Sequence, residues 1–180
     1  DEINTYKVIA DNQKAAYDAT MHLIKKGFTK IAHITSAATL SITGERLEGY
    51  KKALAENNIA FNEKYVQHCE HGGMVAEEIE EALKKLMCQK QKPNAVVTAS
   101  DRITTCLLSS MKKLNLKAPD DIAIVGFTNT NVPEIFNPPL TTAAARYSMN
   151  NLVISYVIAI AFSYIMDRVR FDSFNRKSVV

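Results

Sequence analysis

The sequence is poor in cysteine. The three cysteines among its 180 residues, Cys69, Cys88 and Cys106, lie far apart and form no C-x-x-C pair. An odd and scattered set of this kind argues against a disulfide framework or a zinc site and is typical of reduced thiols. We therefore predict a cytoplasmic protein that holds no metal ion.

The motifs of nucleotide-binding and hydrolytic enzymes are also missing. There is no G-x-x-x-x-G-K-[ST], no G-x-G-x-x-G and no G-x-S-x-G segment, so neither a phosphate cradle nor the nucleophile turn of an α/β hydrolase is supported. His68 and His71 flank Cys69 and Glu70, but no second ligand cluster accompanies them, and we interpret them as loop residues. We predict no catalytic residue and no cofactor, which leaves an α/β enzyme as the least favoured class.

Neither charge nor hydropathy indicates a polyanion or a membrane as partner. The net charge is only +3 and no basic stripe is present, so bulk electrostatics do not predict nucleic-acid binding. Residues 147–166 carry no charge over twenty positions, which is long enough to span a bilayer. Serines and asparagines interrupt that stretch, however, and we predict a buried helix rather than a membrane span.

What the sequence does contain is a regular alternation of strand and helix patterns. Short apolar runs at residues 30–35, 65–67, 95–98 and 122–125 read as strands. Between them, apolar residues recur with a period near 3.6, as in amphipathic helices. This alternation predicts an α/β fold: an open parallel sheet with helices on both faces.

In open parallel sheets, ligands bind beyond the carboxyl ends of the strands, so the loops there hold the candidate site. The first strand is followed by residues 36–43, with Arg46 expected in the first turn of the next helix. The other three loops carry Cys69 to Gly73, then Ser100 and Asp101, then Thr128 to Asn131. Their hydroxyl, amide and charged groups suit a polyhydroxylated or planar polar ligand.

Five blocks of the sequence, in order and spacing, resemble the lactose-repressor family of bacterial transcription regulators. They are Asp11-Asn12 with residues 19–34 (ATMHLIKKGFTKIAHI), residues 46–54 (RLEGYKKAL), 92–101 (KPNAVVTASD), 118–127 (APDDIAIVGF) and 138–142 (PPLTT). The blocks cover about residues 8–142, and a periplasmic sugar-binding protein, which shares the fold, rarely carries all five.

The resemblance implies a periplasmic-binding-protein-like lobe that binds a small-molecule effector, a sugar or another metabolite, in a cleft between two lobes. It implies residues 1–11 as the end of a first lobe, 12–142 as the second lobe, 143–166 as a helix returning to the first lobe, and 167–180 as a crossover and final strand. It further implies a homodimer, and contact with operator DNA only through a helical head absent from this sequence. The alternative is an extracytoplasmic sugar-binding protein of a transporter.

The resemblance also suggests which residues bind the ligand. Arg46 matches the family's effector-binding arginine, and His71 stands where members often place a stacking aromatic residue. Ser100 and Asp101 fall on a loop that lines the cleft, and Ser41 belongs to the loop that precedes Arg46. A sixth candidate, Thr128, departs from the family, because many members have an effector-binding aspartate there. The departure removes an ionised acceptor and leaves the ligand class open.

Overall fold

The computed structural model describes residues 8–127, 141–143 and 147–149, and the side chains of residues 10–127. Contacts divide the chain into two compact units: Asp11–Arg146, and Asp1–Ala10 together with Tyr147–Val180. In the second of these, strands β1 (Val8–Ala10) and β7 (Tyr147–Met149) pair in antiparallel fashion. The domain boundaries expected from the resemblance at residues 142, 143, 166 and 167 stay predictions.

The larger unit alternates helices and strands along the chain. In order, its elements are α1 (Asn12–Lys25), β2 (Ile31–Thr35), α2 (Ser41–Glu56), a short 3-10 turn (Glu63–Tyr65), β3 (Val66–His68), α3 (Ala76–Met87), β4 (Ala95–Thr98), α4 (Asp101–Lys113), β5 (Ala123–Phe127) and β6 (Thr141–Ala143). Each of the four strands expected from the apolar runs is present within one or two residues of its predicted position.

The five strands of this unit form one sheet in the order β3-β2-β4-β5-β6. Every neighbouring pair is parallel. A parallel neighbour requires a crossover connection, which the helices supply in α/β proteins. The predicted open parallel sheet is therefore confirmed.

Helices cover both faces of the sheet, and each face has its own apolar core. On one face, α3 and α4 place Ile79, Leu83, Leu86, Ile103 and Leu107 against the even-numbered residues Ala32 and Ile34 of β2. On the other face, α1 and α2 place Ala16, Leu23, Tyr50 and Leu54 against Ile31, Val97 and Val125. Successive side chains of a strand point to opposite faces, which explains why a strand buried on both sides is almost wholly apolar.

The ends of α1 follow from local chemistry. The carboxylate of Asp11 accepts a hydrogen bond from the backbone N–H of Lys14 at 2.9 Å and so caps the first turn. At the other end Gly27 has a φ of +91°, a conformation that costs glycine little. The predicted glycine stop of this helix is confirmed.

The crossing of α1 and α2 depends on a second glycine. A Cβ atom at Gly49 would lie 2.1 Å from the carbonyl oxygen of Gln13 and 3.0 Å from the backbone nitrogen of Tyr17. The two helix backbones therefore approach each other as closely as they do only because residue 49 has no side chain. Since α2 carries Arg46, this contact also fixes how far that residue stands from α1.

No helix in the described part of the chain is long and apolar enough to cross a bilayer. Of the uncharged stretch at residues 147–166, the described residues 147–149 form strand β7, and the expected helix at 152–162 lies outside the described residues.

Candidate functional site

The carboxyl ends of the parallel strands place separate segments of the sequence along one edge of the sheet. Thr35 ends β2, His68 ends β3, Thr98 ends β4 and Phe127 ends β5. The loops at this edge are tied together by their backbones: Cys69 donates to the Thr35 carbonyl at 2.8 Å, and Ala99 donates to that of Ile34 at 2.9 Å. This edge is where an α/β sheet binds its ligands.

Arg46 lies at this edge, held by three elements at once. The helix α2 begins at Ser41, so Arg46 is in its second turn and not, as expected from the sequence, in its first. The Nε and Nη2 atoms of Arg46 donate to Oδ1 of Asn12, at 3.2 and 2.9 Å, and Nη1 donates to the carbonyl of Ala99. The side chain thus joins the start of α1 to the loop after β4.

The guanidinium group is also packed and partly desolvated. Its Cζ atom lies 4.3 Å from the ring centroid of Phe127, within the range of a cation–π contact. Burial lowers the pKa of Arg46, while the nearby carboxylates of Glu45 and Asp101 act in the opposite direction. An arginine remains charged under all such conditions, so the edge carries a fixed, half-buried positive charge.

This arrangement leaves part of the arginine unused. A guanidinium group has five N–H donors, and Arg46 makes one hydrogen bond from each of its three nitrogens. One N–H on each of Nη1 and Nη2 therefore has no acceptor among the described residues. Two donors in one plane, on a group that the protein already holds rigidly, are suited to an acceptor such as a carboxylate, a carbonyl or a pair of hydroxyls.

Ser100 and Asp101 lie next to this arginine, where β4 leads into α4. The Ser100 hydroxyl accepts a hydrogen bond from the N–H of Ile103 at 3.3 Å, so it is the N-cap of α4. Asp101, in the first turn, is exposed and stabilised by the helix dipole. Both residues thus have a local structural role, and the structure brings both to Arg46, because Ala99 accepts from the arginine and Asp101 is close enough to influence its pKa.

His71 is fixed by a different partner. Its Nδ1 lies 2.7 Å from Oε1 of Glu78, and its backbone N–H donates to Oε2 of the same residue at 3.1 Å. The His71 hydrogen bonds lower the pKa of Glu78. The loop that carries His71 packs against α4, because a Cβ at Gly73 would lie 2.9 Å from the Ile103 nitrogen. No described contact joins His71 to Arg46.

The remaining two candidates differ in what the structure says of them. Ser41 is the exposed first residue of α2, five positions before Arg46, and it makes no described side-chain hydrogen bond to the other candidates. Thr128 lies outside the described residues and directly follows Phe127 in the sequence. The ligand-binding roles of all six candidates stay predictions.

Two residues of this site were not identified as candidates from the sequence. Asn12 receives two of the three Arg46 hydrogen bonds and itself donates to Oε2 of Glu45 at 2.8 Å. Phe127 supplies the aromatic face. Asn12 and Phe127 were quoted only as parts of motifs, and no periodicity relates them to Arg46, because α1, α2 and β5 meet only in the folded sheet.

Nothing in the described part of the chain assembles a metal centre, since no group of three or more His, Cys, Asp or Glu residues is suitably placed there. Burial raises the pKa of the Cys69 thiol to about 11. A thiol of that pKa is protonated at neutral pH and is a poor nucleophile or metal ligand.

Comparison with known proteins identifies the family. Residues 20–148 match the model of the periplasmic binding protein-like domain. The HTH-type transcriptional repressor PurR of Vibrio campbellii is 34% identical over 136 residues, which are 76% of this chain and 40% of that repressor. The corresponding repressor of Vibrio vulnificus is 32% identical over the same shares. The chain spans about two fifths of the length of these curated relatives.

Solved structures agree with the sequence comparison. A putative transcriptional regulator LacI from Bacillus cereus subsp. cytotoxis superposes with a TM-score of 0.69 at 32% identity, over 76% of this chain and 48% of that one. The transcription regulator CcpA of Lactococcus lactis superposes with a TM-score of 0.65 at 31% identity, over 74% and 47%. The chain belongs to the family of periplasmic binding protein-like domains, as the effector-binding core of a regulator of the lactose-repressor type.

Proposed function

We propose that the edge of the sheet around Arg46 binds a small-molecule effector, a sugar or another polar metabolite, and that binding changes the DNA affinity of the full-length regulator. The observation that carries the proposal is the state of Arg46: held by Asn12, Ala99 and Phe127, with one donor left on each terminal nitrogen. A preorganised donor pair loses little conformational entropy when a ligand binds. Ser100, Asp101, Ser41, His71 and Thr128 are proposed to line the same cleft.

The proposed mechanism is a shift between two conformations and involves no catalysis. An effector that contacts one conformation more strongly than the other shifts the equilibrium by its difference in affinity. The regulator is proposed to act in the cytoplasm, with operator DNA bound by a separate head, as the names of the relatives suggest.

The test is a ligand screen on the full-length protein that contains this chain. Thermal melts with a panel of free pentoses, hexoses and purine bases should identify a compound that raises Tm, because a ligand at a hundred times its Kd stabilises by about 2.7 kcal/mol. A compound from the screen should then change the protein's affinity for DNA from its own promoter region. A compound that binds without changing DNA affinity would contradict the regulatory role.

Calorimetry with the compound identified then tests the site itself. Arg46→Ala should weaken binding by about 1.5–3 kcal/mol, the cost of losing a charge-assisted hydrogen bond. Lys52→Ala is the matched control, because Lys52 is an exposed cation on the same helix that lies over Tyr17 and makes no described contact to Arg46. Equal affinities for Arg46→Ala and the wild type would remove Arg46 from the site.

We also infer that the protein is a homodimer. Residues 152–162 (LVISYVIAIAF) are apolar almost all round a helical projection, and a helix of that composition is buried on most sides. Sedimentation velocity at micromolar concentration should show a dimer of the chain. A monomer over the whole concentration range would contradict the inference.

A further inference from the structure

Three buried polar atoms in the larger unit have no hydrogen-bond partner among the described residues. They are Nε2 of His33, Oγ1 of Thr35 and Oγ1 of Thr43. The three residues are 0%, 0% and 2% exposed. Buried polar side chains are nearly always paired with protein or with ordered water, so three unpartnered atoms in one part of a fold require an explanation.

The register of β2 and the period of α2 place the three residues together. His33 and Thr35 alternate along β2 and therefore point to the same face of the sheet. That face is the one covered by α2, because the His33 ring stacks on Tyr50 of that helix, with ring centroids 5.2 Å apart. Thr43 is seven residues, or two turns, before Tyr50, and so lies on the same side of α2. Since α2 runs back along β2, Thr43 lies towards the Thr35 end of the strand.

The hydrogen bonding of His33 determines what the missing partner must supply. Its Nδ1 lies 3.1 Å from the carbonyl oxygen of Val97, and because a carbonyl only accepts, Nδ1 carries the proton. Burial lowers the pKa of His33 to about 4, with Arg46 and His68 acting in the same direction. The ring is therefore neutral at pH 7, and its Nε2 is an acceptor without a donor.

We propose that an internal water site lies between β2 and α2, where water donates to Nε2 of His33 and pairs with the hydroxyls of Thr35 and Thr43. Water is the ligand class that fits, since it both donates and accepts, whereas an ion would need opposite charge from groups that are all neutral. Buried waters typically make about three such hydrogen bonds.

The site supports the part of α2 that carries Arg46. The N-cap of this helix is Leu40, whose side chain makes no capping hydrogen bond, so its first turn has no side-chain anchor of the kind that Asp11 gives α1. Arg46 is one turn after Thr43 and one turn before Tyr50. Water bound to Thr43 therefore joins the first turn of α2 to the end of β2, just before the arginine.

The sign of a stability change tests the proposal. In the full chain, Thr35→Val and Thr43→Val each replace a hydroxyl by a methyl group of nearly the same size. If water is bound, each variant loses a hydrogen bond and Tm should fall by about 2–4 °C. If the site is dry, removing an unpartnered buried hydroxyl should raise Tm, and that result would overturn the proposal.

Two further measurements keep the test decisive if a variant folds poorly. Thr104→Val is the matched control, because its hydroxyl is paired with Thr98 at 2.6 Å and with the Ser100 carbonyl at 2.7 Å, so its Tm should fall in either case. In the wild type, oxygen-17 relaxation dispersion should detect a long-lived internal water that is lost in Thr43→Val, and the ¹⁵N resonance of His33 Nε2 should move in the same variant. An unchanged water count and an unchanged resonance would refute the site.

Discussion

The guanidinium group of Arg46 lies over the ring of Phe127, with Cζ 4.3 Å from the ring centroid. The two residues are 81 positions apart in the sequence and meet because α2 and β5 share one face and one edge of the sheet. The contact sets the tilt of the guanidinium plane, and the hydrogen bonds to Asn12 and Ala99 set its direction.

A double-mutant cycle should measure this contact. We expect Arg46→Met and Phe127→Leu to be coupled by about 1–2 kcal/mol of unfolding free energy, because cation–π contacts are stronger where water is excluded. The matched cycle uses Lys51→Met and Phe61→Leu, whose contact is 5.3 Å long and involves a ring that is 44% exposed. That cycle should give about 0.5 kcal/mol, and coupling no larger at Arg46 would mean that the stacking adds nothing to stability.

The two glycines of α2 should respond to alanine in opposite ways. Gly49→Ala places a methyl group 2.1 Å from a backbone oxygen of α1, so the helices must separate, at a cost of about 1–3 kcal/mol or more. Gly44→Ala meets no atom within 4 Å and should stabilise the helix by up to about 1 kcal/mol. Urea denaturation of both variants checks the pair, and equal effects would disprove the close helix contact.

His33 should make the domain sensitive to mild acid. Its pKa is about 4 in the folded protein and about 6.5 in the unfolded chain, so the unfolded state binds the proton more readily. The resulting stability is complete above pH 6.5 and is lost as the pH falls towards 4, by about 3 kcal/mol at most.

Unfolding free energies of wild type and His33→Gln between pH 7 and 4 provide the measurement. The variant should lack most of the slope between pH 6.5 and 4.5, above the range where the carboxylates of Glu78 and Glu80 are protonated. His22→Gln, on the last turn of α1, is the control and should keep the wild-type slope. A variant with an undiminished slope would show that another group titrates.

Ser100 allows a structural role to be separated from a binding role. Ser100→Ala removes the N-cap of α4 and should cost about 1 kcal/mol of stability. Ser100→Asp retains a capping acceptor and should restore most of that stability. If Ser100 also binds effector, calorimetry with the compound from the screen should show weaker binding in both variants, whereas wild-type affinity in Ser100→Asp would leave it only the cap.

The fold of the larger unit could be predicted because its signals are local. An apolar run such as residues 95–98 buries both faces of a strand, and the 3.6-residue period of Ile79, Leu83 and Leu86 gives a helix one buried side. Gly27 ends α1 through its own backbone conformation. These features depend on neighbours within a few positions, so one sequence suffices to read them.

The candidate site was predicted in part. The rule that ligands bind at the carboxyl ends of parallel strands led to Arg46, Ser100 and Asp101, which the fold brings together. The same rule could not show that His71 is bonded to Glu78, because that pairing depends on how the loop after β3 folds back on α3.

By itself, the sequence determined the alternation of strands and helices, the parallel sheet and the family. Only the tertiary structure decided that Asn12 and Phe127 hold Arg46, and that His33, Thr35 and Thr43 lie together behind it. The physical reason is range. Backbone preference and hydrophobic period act over a few residues, whereas hydrogen-bond partners are chosen by which elements the packed sheet brings within about 3 Å of one another.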